Sequence, residues 1–80
     1  MLTFEKELEL TYVEQKVSKT GNVYIVVRFM SENGSTMDCV YKGKTPIQGL
    51  TLRSIYKFTF EYSVNGKYSS FNCLDLEEVI

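Results

Sequence analysis

The chain has 80 residues, 44% of them hydrophobic and 14% aromatic, and a formal net charge of −1 at pH 7. This length predicts one domain with a small core, and this composition excludes a disordered chain. The absence of histidine excludes imidazole general bases and most zinc sites, and no apolar run approaches the roughly 18 residues of a membrane helix. No signal peptide precedes the two cysteines, so we expect a cytoplasmic protein with reduced thiols.

Five extended segments follow one another along the chain. Their content of Tyr, Phe, Val, Ile and Thr predicts strands near 3–17, 23–31, 35–42, 54–64 and 67–79. Turn signals separate most of them, at 19–21, 32–34 and 65–66. The longer connection 43–53 has room for one helical turn. A meander of three strands, a long connection and a closing hairpin predict an all-β, five-stranded oligonucleotide-binding (OB) barrel over residues 1–80, with little or no helix.

The first two turns define the register of the first three strands. Each reads as a three-residue loop, with Gly21 or Gly34 in the left-handed position. Counting outwards predicts the pairs Val17–Val23, Lys16–Tyr24, Val13–Val27 and Tyr12–Arg28, then Phe29–Met37, Arg28–Asp38, Val27–Cys39 and Tyr24–Lys42. Both registers place the same residues on the core side, namely Val13, Val17, Val23, Ile25, Val27, Phe29, Met37, Cys39 and Tyr41.

The opposite side of these strands combines aromatic and charged residues. It is predicted to hold Tyr12, Glu14, Lys16, Tyr24, Val26, Arg28, Asp38, Val40 and Lys42. The alternative is a two-residue turn at Asn33-Gly34, which would turn Lys42 inwards in place of Tyr41. That register also buries Asp38, and the cost of burying a charge disfavours it.

The first strand changes its apolar phase part-way along. Leu8 and Leu10 lie on even positions, whereas Val13 and Val17 lie on odd ones. A bulge near Tyr12 would bring both sets to one side of the strand. A long, bent first strand of this kind is what a closed small barrel needs.

The closing hairpin is predicted to turn at Asn65-Gly66. This turn would set Tyr68 beside Ser63, and it predicts a core of Phe58, Phe60, Tyr62, Phe71 and Cys73. Leu74 and Leu76 would then lie on the outside of the hairpin. Exposed apolar surface of this kind is typical of a protein–protein interface, and the small core gives the monomer little stability. We therefore expect a homodimer.

Charge is distributed unevenly along the chain. Residues 15–57 have a net charge of +5, from Lys16, Lys19, Arg28, Lys42, Lys44, Arg53 and Lys57 against Glu32 and Asp38. Residues 1–14 and 58–80 each have a net charge of −3. The cations therefore gather on strands two and three and their loops, which form the ligand-binding surface of OB barrels.

Tyr24 is the centre of the predicted binding face. Lys16 and Lys42 would flank it across the sheet, with Arg28 on the same side of the same strand. Single-stranded nucleic acid binds to such mixtures, because each base that stacks on an aromatic ring contributes about 1–3 kcal/mol and cations neutralise the backbone. The candidate site is Lys16, Lys19, Tyr24, Arg28, Lys42, Lys44 and Tyr68. The plainer alternatives are an ordinary Arg28–Asp38 ion pair and a Tyr12 that packs at the bend.

Two motifs resemble the small single-stranded DNA-binding proteins of filamentous phages, which are dimeric OB-type barrels. "KTGNVYIV" resembles the basic loop of that family, with Tyr24 in the place of the DNA-stacking tyrosine and Lys16 and Lys19 matching its basic residues. "SIYKFTFEYSVNGKYSSFNCLDLEEV" resembles its closing hairpin, with Tyr68 in the place of the aromatic that reaches the DNA of the neighbouring subunit. The likeness spans residues 16–79. It departs in the last strand, which is acidic where the family has basic character.

Three functions from different classes follow. The first is a largely sequence-independent single-stranded DNA-binding protein of a phage or mobile element. The second is a protein-interaction module of phage or bacterial origin, and the third is a structural subunit assembled through sheet edges. We expect no enzyme, since the serines have no base to activate them, and neither cofactor nor metal ion, since the cysteines form no ligand motif. The residues do not distinguish DNA from RNA, and the resemblance favours DNA.

Overall fold

The computed structural model describes residues 2–44 and 46–79. Its strands are β1 (Leu2–Val17), β2 (Val23–Met30), β3 (Thr36–Tyr41), β4 (Ser54–Asn65) and β5 (Tyr68–Glu78). A 3-10 turn, Ile47–Gly49, lies in the connection between β3 and β4. Every strand begins and ends within one residue of its predicted bounds. None of the described residues belongs to a helix with the length and apolar character to cross a membrane.

The strands close into a barrel in the order β1-β2-β3-β5-β4. Only β3 and β5 run parallel, and their ladder is short, with the pairs Val40–Asn72 and Tyr41–Cys73. β1 serves two neighbours, because its first part pairs with β4 and its last part with β2. The predicted all-β, five-stranded barrel is confirmed. The register of β1 shifts between Leu10 and Tyr12, where the change of apolar phase predicts a bulge.

Glycine makes the two meander turns possible. Gly21 and Gly34 have φ of 87° and 85°, a region that side chains disfavour. The N–H of Ser18 donates to the carbonyl of Asn22 at 2.8 Å, which closes a three-residue loop as predicted. The same loop recurs between β2 and β3. Seven of the eight predicted pairs of these three strands are therefore present, and the eighth, Tyr24–Lys42, is treated with the site below.

Aromatic rings fill the centre of the barrel. The rings of Phe29 and Phe60 have centroids 5.1 Å apart, and Phe58 lies 5.3 Å from Phe29. Leu10 and Val27 are fully buried beside them. Burying a large apolar side chain contributes about 1.5–3 kcal/mol, so these rings provide much of the stability of a small domain.

Three residues of the first three strands that were predicted for the core are exposed. Val17 and Val23 pair at the far end of the β1–β2 hairpin, beyond the ring of strands, and are 64% and 59% exposed. Met37 is also exposed, because β3 pairs with β5 only at its last two residues and its beginning has no strand on that side. Alternation assigned these side chains to the correct surface of the sheet, but burial also requires a facing strand.

The closing hairpin turns one residue later than predicted. Asn65 pairs with Tyr68, so the turn residues are Gly66 and Lys67, with Gly66 at φ 64°. Tyr68 therefore lies opposite Asn65, and Ser63 pairs with Ser70 instead. Either placement of the glycine suits a two-residue turn. Side-chain packing along the hairpin decides between them.

This register leaves the tip of the hairpin partly uncovered. Tyr62 pairs with Phe71, and the ring of Phe71 stacks on that of Phe60 with a centroid distance of 5.0 Å. Tyr62 was predicted to be buried, yet 40% of it is exposed. Within residues 2–44 and 46–79, no further strand covers this part of β4.

A bulge in β5 corrects the prediction for Leu76. Phe60 pairs with Cys73 but Thr59 pairs with Asp75, so β5 has one extra residue there. The extra residue reverses the alternation of inward and outward side chains. Leu76 therefore pairs with Phe58 and is buried, whereas the sequence placed it outside.

The two cysteines lie in the core as free thiols. The Cys73 thiol donates to the carbonyl of Asp75 at 3.3 Å. A hydrogen bond with Cys73, together with burial, raises the pKa of Cys39. Cys39 is therefore a protonated, unreactive thiol at neutral pH.

Candidate nucleic-acid interface

The outward-facing side chains of β1, β2 and β3 form three parallel rows. In the first row Tyr12 pairs with Arg28 and Arg28 with Asp38. In the third row, at the start of β2 and four residues before Arg28, Lys16 pairs with Tyr24. The middle row holds Glu14, Val26 and Val40. We call these eight residues the outer face.

Tyr24 lies between a lysine and the valines of the middle row. Its side chain is half-buried and does not belong to the core cluster. Lys16, directly opposite, is exposed, and its Nζ lies 3.8 Å from Glu14 Oε2. An exposed ion pair of this length is weak, so Lys16 remains available to a stronger anion.

Arg28 is held by contacts on two sides. Its Nε and Nη2 donate to Asp38 Oδ1 and Oδ2 at 2.7 and 3.2 Å, a two-pronged ion pair. Its Cζ lies 5.1 Å from the centroid of the Tyr12 ring, within cation–π range. The hydrogen bond to Asp38 raises the pKa of Arg28, and the hydrogen bond from Arg28 lowers the pKa of Asp38. Both groups therefore stay ionised at neutral pH.

The ion pair and the ring contact favour the plainer interpretation of Arg28 and refine that of Tyr12. Arg28 has the cross-strand partner that the sequence left as an alternative. Tyr12 is 39% exposed, so its ring supports the guanidinium at the surface and does not pack into the core at the bend.

Lys42 does not form the predicted pair with Tyr24. The β2–β3 ladder ends at Ile25–Tyr41, and the N–H of Lys42 donates to the carbonyl of Cys73 in β5 at 2.7 Å. The chain turns there towards β5, with which Tyr41 pairs at Cys73. The next residue has to be glycine, because a Cβ on Gly43 would overlap the Tyr41 ring. Tyr41 is buried and Lys42 is exposed. Because the ladder ends at Tyr41, Lys42 lies one residue past it, at the Tyr24 end of β2.

The remaining candidate residues occupy three different loops or turns. Lys19 is exposed in the β1–β2 turn, close to the Lys16–Tyr24 pair in the chain. Lys44 is exposed at the start of the β3–β4 connection. Tyr68 is 81% exposed on the separate β4–β5 hairpin, where its strand partner is Asn65. Thus Lys16, Tyr24 and Arg28 share the outer face, Lys19 and Lys42 border it, and Tyr68 lies elsewhere.

A different surface of the barrel is acidic. Glu5 and Glu7 project from the first part of β1, which lies beside β4. Lys57 bridges two carboxylates there, with its Nζ 3.5 Å from Glu5 and 3.1 Å from Glu77. The hydrogen bond to Glu77 raises the pKa of Lys57. Within residues 2–44 and 46–79, no group of three or more acidic or cysteine side chains is arranged to hold a metal ion.

No family model matches the chain, and neither a curated protein nor a solved structure matches it. The resemblance to the phage single-stranded DNA-binding proteins therefore stays a prediction from the two motifs. The candidate function depends on the geometry and charge of the outer face.

Proposed function

We propose that the protein binds single-stranded nucleic acid, largely without sequence preference, on and around the outer face. The observation that carries the proposal is the position of Tyr24, outside the core of the barrel, with Lys16 opposite it and Lys19 and Lys42 at the same end of the sheet. A base stacks on such a ring while the lysines neutralise adjacent phosphates. The two motifs favour DNA, and with it a cytoplasmic role in a phage or mobile element.

Charge separation supports the choice of this face. The chain has a net charge of −1, so overall attraction does not bring an anion to it. Lysines surround Tyr24, whereas Glu5 and Glu77 lie on the surface formed by β1, β4 and β5. A polyanion is therefore steered towards the Tyr24 end of the outer face, where Lys19 and Lys42 add to Lys16, and away from the acidic surface.

Tyr24→Ala is expected to weaken binding of oligo-dT by about 1–3 kcal/mol, because the stacking ring is lost. The slope of log affinity against log salt should stay the same, because no cation is removed. A fluorescence titration at two salt concentrations measures both quantities. Tyr24→Leu is a control that keeps apolar bulk without the aromatic ring, and it should weaken binding in the same way.

Lys42→Ala is the reciprocal variant in this experiment. It should weaken binding modestly and reduce the salt slope by about 0.7, the value for one phosphate on a single strand. If the affinity of the wild-type protein does not depend on salt concentration, or if Tyr24→Ala binds with full affinity, nucleic acid is not bound on the outer face.

We also propose that the chain forms a homodimer through one end of the barrel. Leu2 and Phe4 of β1 pair with Tyr62 and Phe60 of β4, and Tyr62 pairs with Phe71 of β5. We call the inward-facing, partly exposed set the open end: Leu2, Phe4, Tyr62, Val64 and Phe71. No strand covers these side chains among the described residues.

A second copy of the chain suits the open end because none of its five side chains is charged. A two-fold axis sets each patch against itself, where like charges would repel one another. Apolar patches left exposed on soluble proteins mark such contacts, and an 80-residue domain has a small core to supplement.

Val64→Glu is expected to convert the dimer into monomers, because it brings two carboxylates together across the axis. Val17→Glu is the matched control, since Val17 is 64% exposed and Val64 62%, but Val17 lies on the β1–β2 hairpin. Sedimentation at tens of micromolar should give twice the 9.3 kDa chain mass for the wild type and for Val17→Glu. A wild-type protein that sediments at 9.3 kDa would rule out the dimer.

A further inference from the structure

The ion pair between Arg28 and Asp38 has the geometry of an arginine bound to phosphate. Two neighbouring N–H groups, on Nε and Nη2, donate to two oxygens of one anionic group at 2.7 and 3.2 Å. Arginine binds phosphates through this same forked edge, and the second oxygen adds orientation to the attraction. Asp38 therefore occupies the edge with which Arg28 would bind a nucleic-acid backbone.

We propose that Asp38 keeps Arg28 from contacting phosphate and so limits the affinity of the outer face for single strands. This inference rests on the proposed function. Arg28 then contributes the flat surface of its guanidinium, next to the Tyr12 ring, and does not neutralise a phosphate. The two carboxylates of the outer face, Asp38 and Glu14, balance its two cations, Arg28 and Lys16.

The positions of the three side chains support this role for Asp38. Tyr12, Arg28 and Asp38 occupy one row across β1, β2 and β3, and strand pairing fixes their order. The Arg28 and Asp38 side chains are 43% and 46% exposed, so a phosphate could reach Arg28 if the carboxylate were removed. The Tyr12 ring, 5.1 Å from Cζ, keeps the guanidinium in place whichever anion is bound.

Asp38→Asn is the direct test, because it removes the charge and nearly preserves the shape. With oligo-dT the salt slope should become steeper by about 0.7, as Arg28 gains a phosphate. Between 50 and 200 mM salt, affinity should then fall about 2.6-fold more than it does for the wild type. Asp38→Ser, a smaller neutral side chain, should behave alike, and circular dichroism checks that both variants fold.

The decisive comparison removes Arg28 in both backgrounds. Arg28→Ala should leave the slope unchanged in the wild type and reduce it by about 0.7 in Asp38→Asn. Glu14→Gln is the matched control, because it removes one carboxylate from the same face without touching the forked edge. The slope change caused by Arg28→Ala should be as small with Glu14→Gln as in the wild type.

Several outcomes would overturn the inference. It is wrong if Asp38→Asn keeps the wild-type slope, or if Arg28→Ala changes the slope equally in both backgrounds. It is also wrong if Glu14→Gln couples to Arg28 as strongly as Asp38→Asn does. If oligo-dT binds to neither the wild type nor Asp38→Asn, the proposed function is wrong. If oligo-dT binds but the effect of Arg28→Ala on the slope does not depend on Asp38, only the role of Asp38 is wrong.

Discussion

Phe60→Ala is expected to lower the free energy of unfolding by about 3–5 kcal/mol, the usual cost of removing a buried aromatic ring. Phe60 is 2% exposed and lies at the centre of the aromatic cluster. Its centroid is 5.0–5.5 Å from those of four other rings, in Phe4, Phe29, Phe58 and Phe71. The substitution removes the contacts that these four rings make with Phe60. It also leaves a cavity that the strands of a closed barrel cannot easily move in to fill.

Urea denaturation at one protein concentration measures this loss. Tyr68→Ala, on the same hairpin, is the control: the side chain is 81% exposed, so the change should stay within about 0.5 kcal/mol. A loss of less than about 1.5 kcal/mol in Phe60→Ala would mean that the cluster is not the core of the barrel.

Tyr41→Ala is expected to lower the free energy of unfolding by about 2–4 kcal/mol. Tyr41 is 5% exposed, pairs with Ile25 on one side and Cys73 on the other, and lies beneath Gly43. Removing its ring therefore empties the part of the core where β3 meets β5, the shortest ladder of the barrel.

Tyr24→Ala is the partner of this measurement. Tyr24 is one position from Ile25 and points to the other side of β2, so the loss of stability should be under about 1 kcal/mol. Thermal unfolding of the two variants side by side decides which face of the sheet is the core. If Tyr24→Ala unfolds the protein and Tyr41→Ala only abolishes binding, the outer face is the wrong surface.

Turn glycines and strand alternation were sufficient to predict the register of the meander and most residues of the outer face. Glycine is favoured at positive φ, so Gly21 and Gly34 define two three-residue loops, and counting from them places Tyr24, Arg28 and Asp38 outwards. The bulge in β1 could be predicted because it leaves a visible change of phase in the apolar pattern. Each of these features depends on residues that are close in the sequence or joined by a short turn.

The closing hairpin could not be predicted to the residue, because two turns suit Asn65-Gly66-Lys67 almost equally. In the observed register Phe71 stacks on Phe60 and lies tilted against Phe4, and these contacts between strands are not visible in the turn sequence. Leu76 was misplaced for a similar reason. A bulge within β5 reverses the alternation where the apolar positions change from Phe71 and Cys73 to Leu74 and Leu76. The sequence analysis interpreted the two leucines as an outer apolar surface and not as the mark of a bulge.

Only the tertiary structure decided which inward-facing side chains are exposed and which strand Lys42 contacts. The sequence placed Val17 and Met37 on the correct side of the sheet, but whether that side is covered depends on where distant strands begin and end. Lys42 turns to β5 because a parallel ladder forms there between strands far apart in the chain. The sequence by itself determined which side chains face outwards on β1 to β3, because alternation is a local property of a strand. Closure of the barrel determined which inward side chains are buried and which remain exposed at the open end, because burial requires residues that only the fold brings near.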